Sequence, residues 1–195
     1  MAVAYILDFP GAGAEDYDWV MEKMELGGRL PAGALFHAAG ATDAGWRVCD
    51  VWESAEAFDG FAQSKIGPLS AQRGMSEPQI RSFEVAEAPR RGSGDGVGFF
   101  QIVLIPGLDH AGFVELDRQV VGPERGAPEG CVFHVNGPLG EAYCVLDYWA
   151  SSEIRDRFVA ERIAPAMAAA PMPPAIEGTV AHAALTEPAE RPAHA

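Results

Sequence analysis

The run Gly33-Ala34-Leu35-Phe36-His37-Ala38-Ala39-Gly40, followed by Trp46-Arg47-Val48-Cys49-Asp50-Val51-Trp52-Glu53-Ser54, returns 97 residues later as Gly130 to Gly137 and Tyr143 to Ser151. Gly33, Phe36, His37 and Gly40 meet Gly130, Phe133, His134 and Gly137. Val48, Asp50, Trp52 and Ser54 meet Val145, Asp147, Trp149 and Ser151. Beyond them Glu56, Asp59, Phe61, Ile66 and Pro68 meet Glu153, Asp156, Phe158, Ile163 and Pro165, which makes 13 identities over 36 aligned positions. Average residue usage would give roughly two or three by chance. Two copies of one small domain are the economical explanation.

The same order of elements is legible around each copy of the run. A strand (2–9; 98–106) leads into a helix (14–27; 109–121), in which Tyr17, Val20, Met21 and Met24 recur near helical spacing. A hairpin follows, with strands at 33–39 and 46–53 and again at 130–136 and 142–150, around glycine-rich turns. Ser54 and Ser151 suit the N-cap of a second helix, and Glu56 and Glu153 put negative charge in its first turn, where the helix dipole favours it. Pro68 and Pro165 are expected to kink or end that helix. A last strand (79–87; 176–184) completes a β-α-β-β-α-β unit, so the expected class is α+β with two ferredoxin-like repeats. The first repeat spans 1–88 and the second 97–185. Residues 89–96, rich in glycine and charge, read as a flexible linker, and the proline-bearing 186–195 as a disordered tail.

Composition bounds the function. Apolar residues are 48% and charged residues 22% of 195, enough for a buried core. A net charge of −14 disfavours nucleic acid or an anionic membrane as partner, because counterion release needs clustered Lys and Arg. No stretch approaches the ~18 apolar residues of a membrane span, and Val3 to Leu7 read as strand with no basic segment before them. A cytoplasmic protein acting on a small molecule is expected, as a monomer holding an internal pseudo-dimer or as a homodimer of such chains. Cys49, Cys131 and Cys144 show no CxxC spacing and alternate like small hydrophobes, so reduced, buried thiols are expected.

Strand alternation puts Trp46, Val48, Asp50 and Trp52 on one face, and Tyr143, Val145, Asp147 and Trp149 on the equivalent face of the second copy. A carboxylate among apolar neighbours is costly unless partnered, and desolvation raises its pKa toward the range of a general base. His37 is expected to share a face with Leu35 and Ala39. If the turn pairs residue 40 with 47, His37 lies opposite Asp50, and His134 opposite Asp147 by the same arithmetic. These two His–Asp pairs are the candidate catalytic groups, the plainer alternative being that each pair satisfies itself structurally. Trp52 and Trp149 are candidates to stack on an aromatic substrate, against ordinary core packing. Phe58, on the second helix, is a further candidate substrate contact, and Trp19, Tyr5, Tyr17 and Met21 would line the first pocket only if the first helix presents them to the sheet, core packing being the plainer role. Arg47, on the opposite face from Asp50, is expected at the surface or a barrel seam. No GxSxG, P-loop, Rossmann or HExxH motif occurs, and the five histidines have no metal-ligand spacing, so a site without metal or cofactor is the simplest reading.

Taken with Phe58, the run from Gly33 to Gly40 and that from Val48 to Ser54 resemble the dimeric α+β barrel superfamily, and within it the antibiotic-biosynthesis monooxygenase-like group. The resemblance covers nearly the whole chain twice. It implies two ferredoxin-like units packed sheet to sheet as an intramolecular barrel, each with a substrate pocket between sheet and helices. Trp52 and Trp149 match the pocket tryptophan of the quinone-forming and haem-degrading members. The asparagine four residues before and tyrosine six residues after that tryptophan in the quinone-forming class are here Val48 and Phe58, and Val145 and Arg155. Neither second helix carries the iron-binding histidine of the haem-degrading members, so haem is not expected.

The expectation that follows is a cofactor-independent, monooxygenase-like enzyme of secondary metabolism. It would deprotonate an aromatic or polyketide-like substrate with Asp50 or Asp147 as base and His37 or His134 as orienter or relay. A cyclase or isomerase using the same pair, and a non-catalytic small-ligand-binding or structural module, are the alternatives.

Overall fold

A computed structural model describes residues 1–92, 96–167 and 174–186. In chain order, β1 (Val3–Pro10), α1 (Ala14–Met24), the hairpin β2 (Ala34–Thr42) and β3 (Gly45–Trp52), α2 (Ala55–Phe61), α3 (Gly67–Arg73), β4 (Gln79–Glu84) and the short β5 (Arg90–Arg91) make the first half. The second half repeats the order with β6 (Phe99–Pro106), α4 (His110–Val121), β7 (Cys131–Leu139), β8 (Ala142–Trp149), α5 (Ser152–Phe158), α6 (Ala164–Met167), β9 (Ala175–Val180) and β10 (Ala183–Thr186). The strands form two antiparallel five-stranded sheets, ordered β10-β2-β3-β1-β4 and β5-β7-β8-β6-β9.

Each sheet therefore takes one edge strand from the other half of the sequence. β10 pairs with β2, setting Leu185 opposite His37, and β5 pairs with β7, setting Arg90 opposite His134. This departs from the sequence reading, in which Arg90 and Arg91 belong to a free linker and Thr186 to the tail. The physical reason is that β2 and β7 would otherwise expose unpaired backbone groups along a sheet edge. Residues 93–95 and 187–195 of those segments lie outside the described residues. The crossing is tight. His182 N–H donates to the Ala39 carbonyl and Ala86 N–H to that of Asn136, both at 2.8 Å. A Cβ on Gly40 would stand 2.2 Å from the Val180 carbonyl oxygen, and one on Gly137 2.2 Å from that of Glu84.

Between the sheets lies one apolar cluster drawn from both halves, including Ile6, Phe36 and Val51 with Ile102, Phe133 and Tyr148. Phe36 stacks on Phe133 at a centroid distance of 4.5 Å. The register shifts between Ala34 and Phe36, and the bulge corrects one expectation: Leu35 packs against the intersheet cluster and not beside His37. Arg47 sits at the seam, buried, with Nε 2.6 Å from Asp8 and Nη2 2.7 Å from Glu177 of β9. Cys49, Cys131 and Cys144 are free and buried, and burial pushes all three thiols up.

Ser54 and Ser151 cap α2 and α5, each accepting from a backbone N–H at 3.3 Å. Pro68 does not end its helix. A π-helical turn over Ala62–Ile66 joins α2 to α3, with Gly67 N–H bonded to the Ala62 carbonyl, and Pro68 falls in the first turn of α3. There a missing N–H is tolerated. Val159–Ile163 repeats the device before Pro165. The first helix is shorter than expected because Glu25 turns left-handed (φ 58°) after Met24. The last strands also end early, at Glu84 and Val180, where the exchanged segments begin. Among the described residues no helix is long and apolar enough to cross a membrane.

Candidate active site

On the outer face of the first sheet, β2 and β3 hold His37 and Asp50 in register, with His37 Nδ1 2.7 Å from Asp50 Oδ1. Helix α1 lowers Tyr17 onto them: its hydroxyl lies 2.8 Å from His37 Nε2, and its ring runs nearly parallel to the imidazole at 10°. Burial, then the charges of Asp50 and Asp18, raise the Tyr17 pKa well above the ordinary phenol value, so the hydroxyl stays protonated. With Asp50 ionised, Nδ1–H donates to Asp50 and Nε2 accepts from Tyr17. The result is a Tyr–His–Asp chain in which Asp50 Oδ2 has no hydrogen-bond partner among the described residues.

The chain of groups borders an apolar cavity of about 70 Å³, walled by Leu7, Met21, Leu30, Trp46, Trp52 and Leu185 among others. The Trp46 and Trp52 indole N–H groups are buried without an acceptor among the described residues. Of the residues expected here, Tyr17, His37, Asp50 and Trp52 meet at the cavity. Phe58 stands behind it, stacked on Tyr5 at 3.7 Å and edge-on to Trp52. Trp19 is elsewhere: it lies half-buried beside Lys23 and Arg73, because residues two apart on a helix point to nearly opposite sides.

The second half builds a comparable cavity of about 90 Å³ with different polar wiring. His134 Nδ1 is again 2.7 Å from Asp147 Oδ1. Here Gln101 donates to Asp147 Oδ2 at 3.1 Å, and the Asn136 amide nitrogen meets His134 Nε2 at 3.1 Å. Tyr143 donates to Asn136 Oδ1 at 2.7 Å, and His110 Nδ1 is 2.7 Å from the same hydroxyl. Phe113, stacked over His134 at 6.2 Å, stands where Tyr17 stands in the first half. Trp149 lines this cavity, its N–H also lacking a described acceptor. Both carboxylate oxygens and both ring nitrogens of the second His–Asp pair thus have a partner, while among the described residues the first pair keeps one carboxylate oxygen without one.

Sequence reasoning did not find Tyr17 as the partner of His37, nor Gln101 and Asn136 as the groups that close off the second pair. The first strands of the two halves align at a shift of 96, since Val3 and Phe99 pair with Trp52 and Trp149. That shift sets Tyr17 against Phe113 and would have exposed the difference.

No family model matches the chain, and no curated protein matches it. Solved structures do, and their fold is that of the dimeric α+β barrels. One is a protein of Lactobacillus acidophilus NCFM provisionally named a monooxygenase, with TM-score 0.66 and 11% identity over 95% of this chain and 96% of that one. A second, similarly named, comes from Fusobacterium nucleatum, with TM-score 0.68 and 10% identity over 95% and 94%. An anthrone oxidase-like protein matches with TM-score 0.50 and 13% identity over 100% and 96%. At these identities the likeness is one of fold.

Proposed function

We propose that the two halves are copies of one ferredoxin-like unit forming an intramolecular barrel, and that the first pocket is the active site of a cofactor-independent monooxygenase. Its substrate is a neutral aromatic ketone or phenol of polyketide type, carrying an acidic C–H. The observation that carries this reading is the free Oδ2 of Asp50 at an apolar cavity, backed by the His37 and Tyr17 hydrogen bonds at 2.7 and 2.8 Å. A carboxylate oxygen with no hydrogen-bond donor on it is open to accept a proton from a bound C–H. The names of the structural neighbours agree with an oxygenase but do not supply the substrate.

Asp50 takes the proton of a CH2 flanked by carbonyl-conjugated rings, and the electron pair delocalises as an enolate. Dioxygen adds at the carbon, and the proton returns from Asp50 to the peroxide. Loss of water then leaves a ketone, so CH2 and O2 become C=O and H2O. His37 holds Asp50 by Oδ1, and Tyr17 fixes the imidazole tautomer, as an orienting group does in other proton-transfer sites.

Oxygen uptake with anthrone as probe tests the reading. Uptake equal to ketone formed is expected, with Asp50→Asn lowering kcat about 10²–10⁴-fold and Asp147→Asn leaving it within twofold. Anaerobic turnover would favour a cyclase or isomerase, and activity unchanged in Asp50→Asn would remove Asp50 as base.

A further inference from the structure

We infer that the two exchanged chain segments are the gates of the two pockets, and that the residue each sets opposite a histidine decides which pocket admits a ligand. Leu185 leaves the first open to neutral aromatic molecules, whereas Arg90 and Glu87 latch the second. The cavities, about 70 and 90 Å³, both fall below the roughly 300–1,000 Å³ of a small-molecule site. A ligand therefore needs a wall to give way, and the wall that differs most between the halves is the first helix with the segment packed across it. What ties them together differs sharply between the halves.

Over the first pocket the polar tie among the described residues is one ion pair, His182 Nε2 to Asp18 Oδ1 at 2.8 Å, with side chains 38% and 59% exposed, and the His182 ring rests edge-on against Tyr17 at 5.8 Å. Exposed pairs of this kind hold weakly. The neighbouring Leu185 contributes only apolar surface to the cavity wall. Over the second pocket, Arg90 donates to Asp117 of α4 at 2.6 Å, and Asp117 is 7% exposed. Arg125, just beyond α4, grips Asp117 at 2.7 Å and takes Glu87 in a two-pronged bond at 2.8 and 2.7 Å. Opening this side strips buried charges of their partners, which is strongly unfavourable. The same backbone crossing is thus a loose flap on one side and an ionic clasp on the other.

The inference concerns access and not turnover, so binding tests it separately from the proposed chemistry. Calorimetric titration of the full chain with 1-naphthol, a neutral aromatic probe at pH 7, is expected to give one site per chain. Leu185→Arg should weaken that site at least tenfold. The double variant Glu87→Leu with Arg90→Leu removes both charges on the segment side, leaves Asp117 paired with Arg125, and should give two sites. Glu87→Gln with Arg90→Gln serves as the gentler second variant, with urea unfolding to confirm that each is folded. No site or two sites in the unaltered protein, or a single site persisting in both folded double variants, overturns the inference. One site in a protein with no activity on any substrate would instead remove the catalytic reading and leave the gates standing.

Discussion

Replacing Gly40 with alanine is the sharpest test of how the halves interlock. The added Cβ would stand 2.2 Å from the Val180 carbonyl oxygen and 2.8 Å from Thr179 Cγ2. Close carbon–oxygen contacts in sheets run at roughly 3.3–3.6 Å, so the crossing backbone must retreat by about 1 Å. Overfilling a packed site costs about 1–3 kcal/mol. The same retreat breaks the 2.8 Å hydrogen bond from His182 N–H to Ala39, worth about another 0.5–1.5 kcal/mol net. A loss of about 2–4 kcal/mol is expected, or on the order of 5–15 °C in Tm for a chain of this size. Urea unfolding reads the first and calorimetry the second. Gly137→Ala should behave alike, since its Cβ would meet the Glu84 carbonyl oxygen at the same 2.2 Å. Gly60→Ala, within α2 and with nothing near its added Cβ, should instead stabilise by up to about 1 kcal/mol. Losses under about 0.5 kcal/mol at both Gly40 and Gly137 would refute the tight crossing, because no backbone clash of that depth is so cheap.

The clasp over the second pocket predicts a pH dependence. Hydrogen bonds from Arg125, then its charge and those of Arg90, pull the Glu87 carboxyl from 4.5 down to about 2. A depressed carboxylate stabilises the fold above its unfolded pKa, so this contribution is complete above about 4.5 and disappears as pH falls toward 2. Arg125→Met should flatten the stability curve within that window and nowhere else, measured by urea unfolding at stepped pH. Asn136→Ala leaves His134 Nε2 and the Tyr143 hydroxyl short of a partner, and should cost about 1–3 kcal/mol in unfolding free energy while oxygen uptake stays within twofold.

What could be read in the sequence was what local rules control. A short glycine-rich turn fixes hairpin register, so placing His37 against Asp50 needed only counting from residue 40. The N-caps at Ser54 and Ser151 were equally local. Leu35 was misplaced because a bulge breaks the period of two without leaving a compositional mark. Trp19 lies off the buried stripe of α1 that Tyr17, Val20 and Met24 define, a contrast already legible in their spacing. The exchanged strands were beyond reach: β5 has two residues and β10 four, and their partners lie far off in sequence. The π-helical turns were hidden for a related reason, since Pro68 and Pro165 carry the same local signal whether a helix ends or slips its ladder.

The core between the sheets explains why two pockets of common design could diverge. Pairing of each first strand with its hairpin sets Ala4 against Phe100, Ala38 against Val135, Cys49 against Leu146 and Val51 against Tyr148 as equivalent positions, all buried in the one intersheet cluster. In all four the larger side chain belongs to the second half. Phe83 and Val85 of the first half, in turn, exceed their counterparts Thr179 and Ala181, so the shared layer draws its bulk from both halves and its packing depends on side chains from each. Each outer pocket, by contrast, has its own apolar cluster, with Tyr17, Trp46 and Trp52 on one side and Phe113 and Tyr143 on the other. A substitution there alters one pocket without disturbing the shared layer. With each outer pocket packed on its own cluster, one His–Asp pair keeps a carboxylate oxygen without a partner among the described residues while the other is closed off by Gln101 and Asn136.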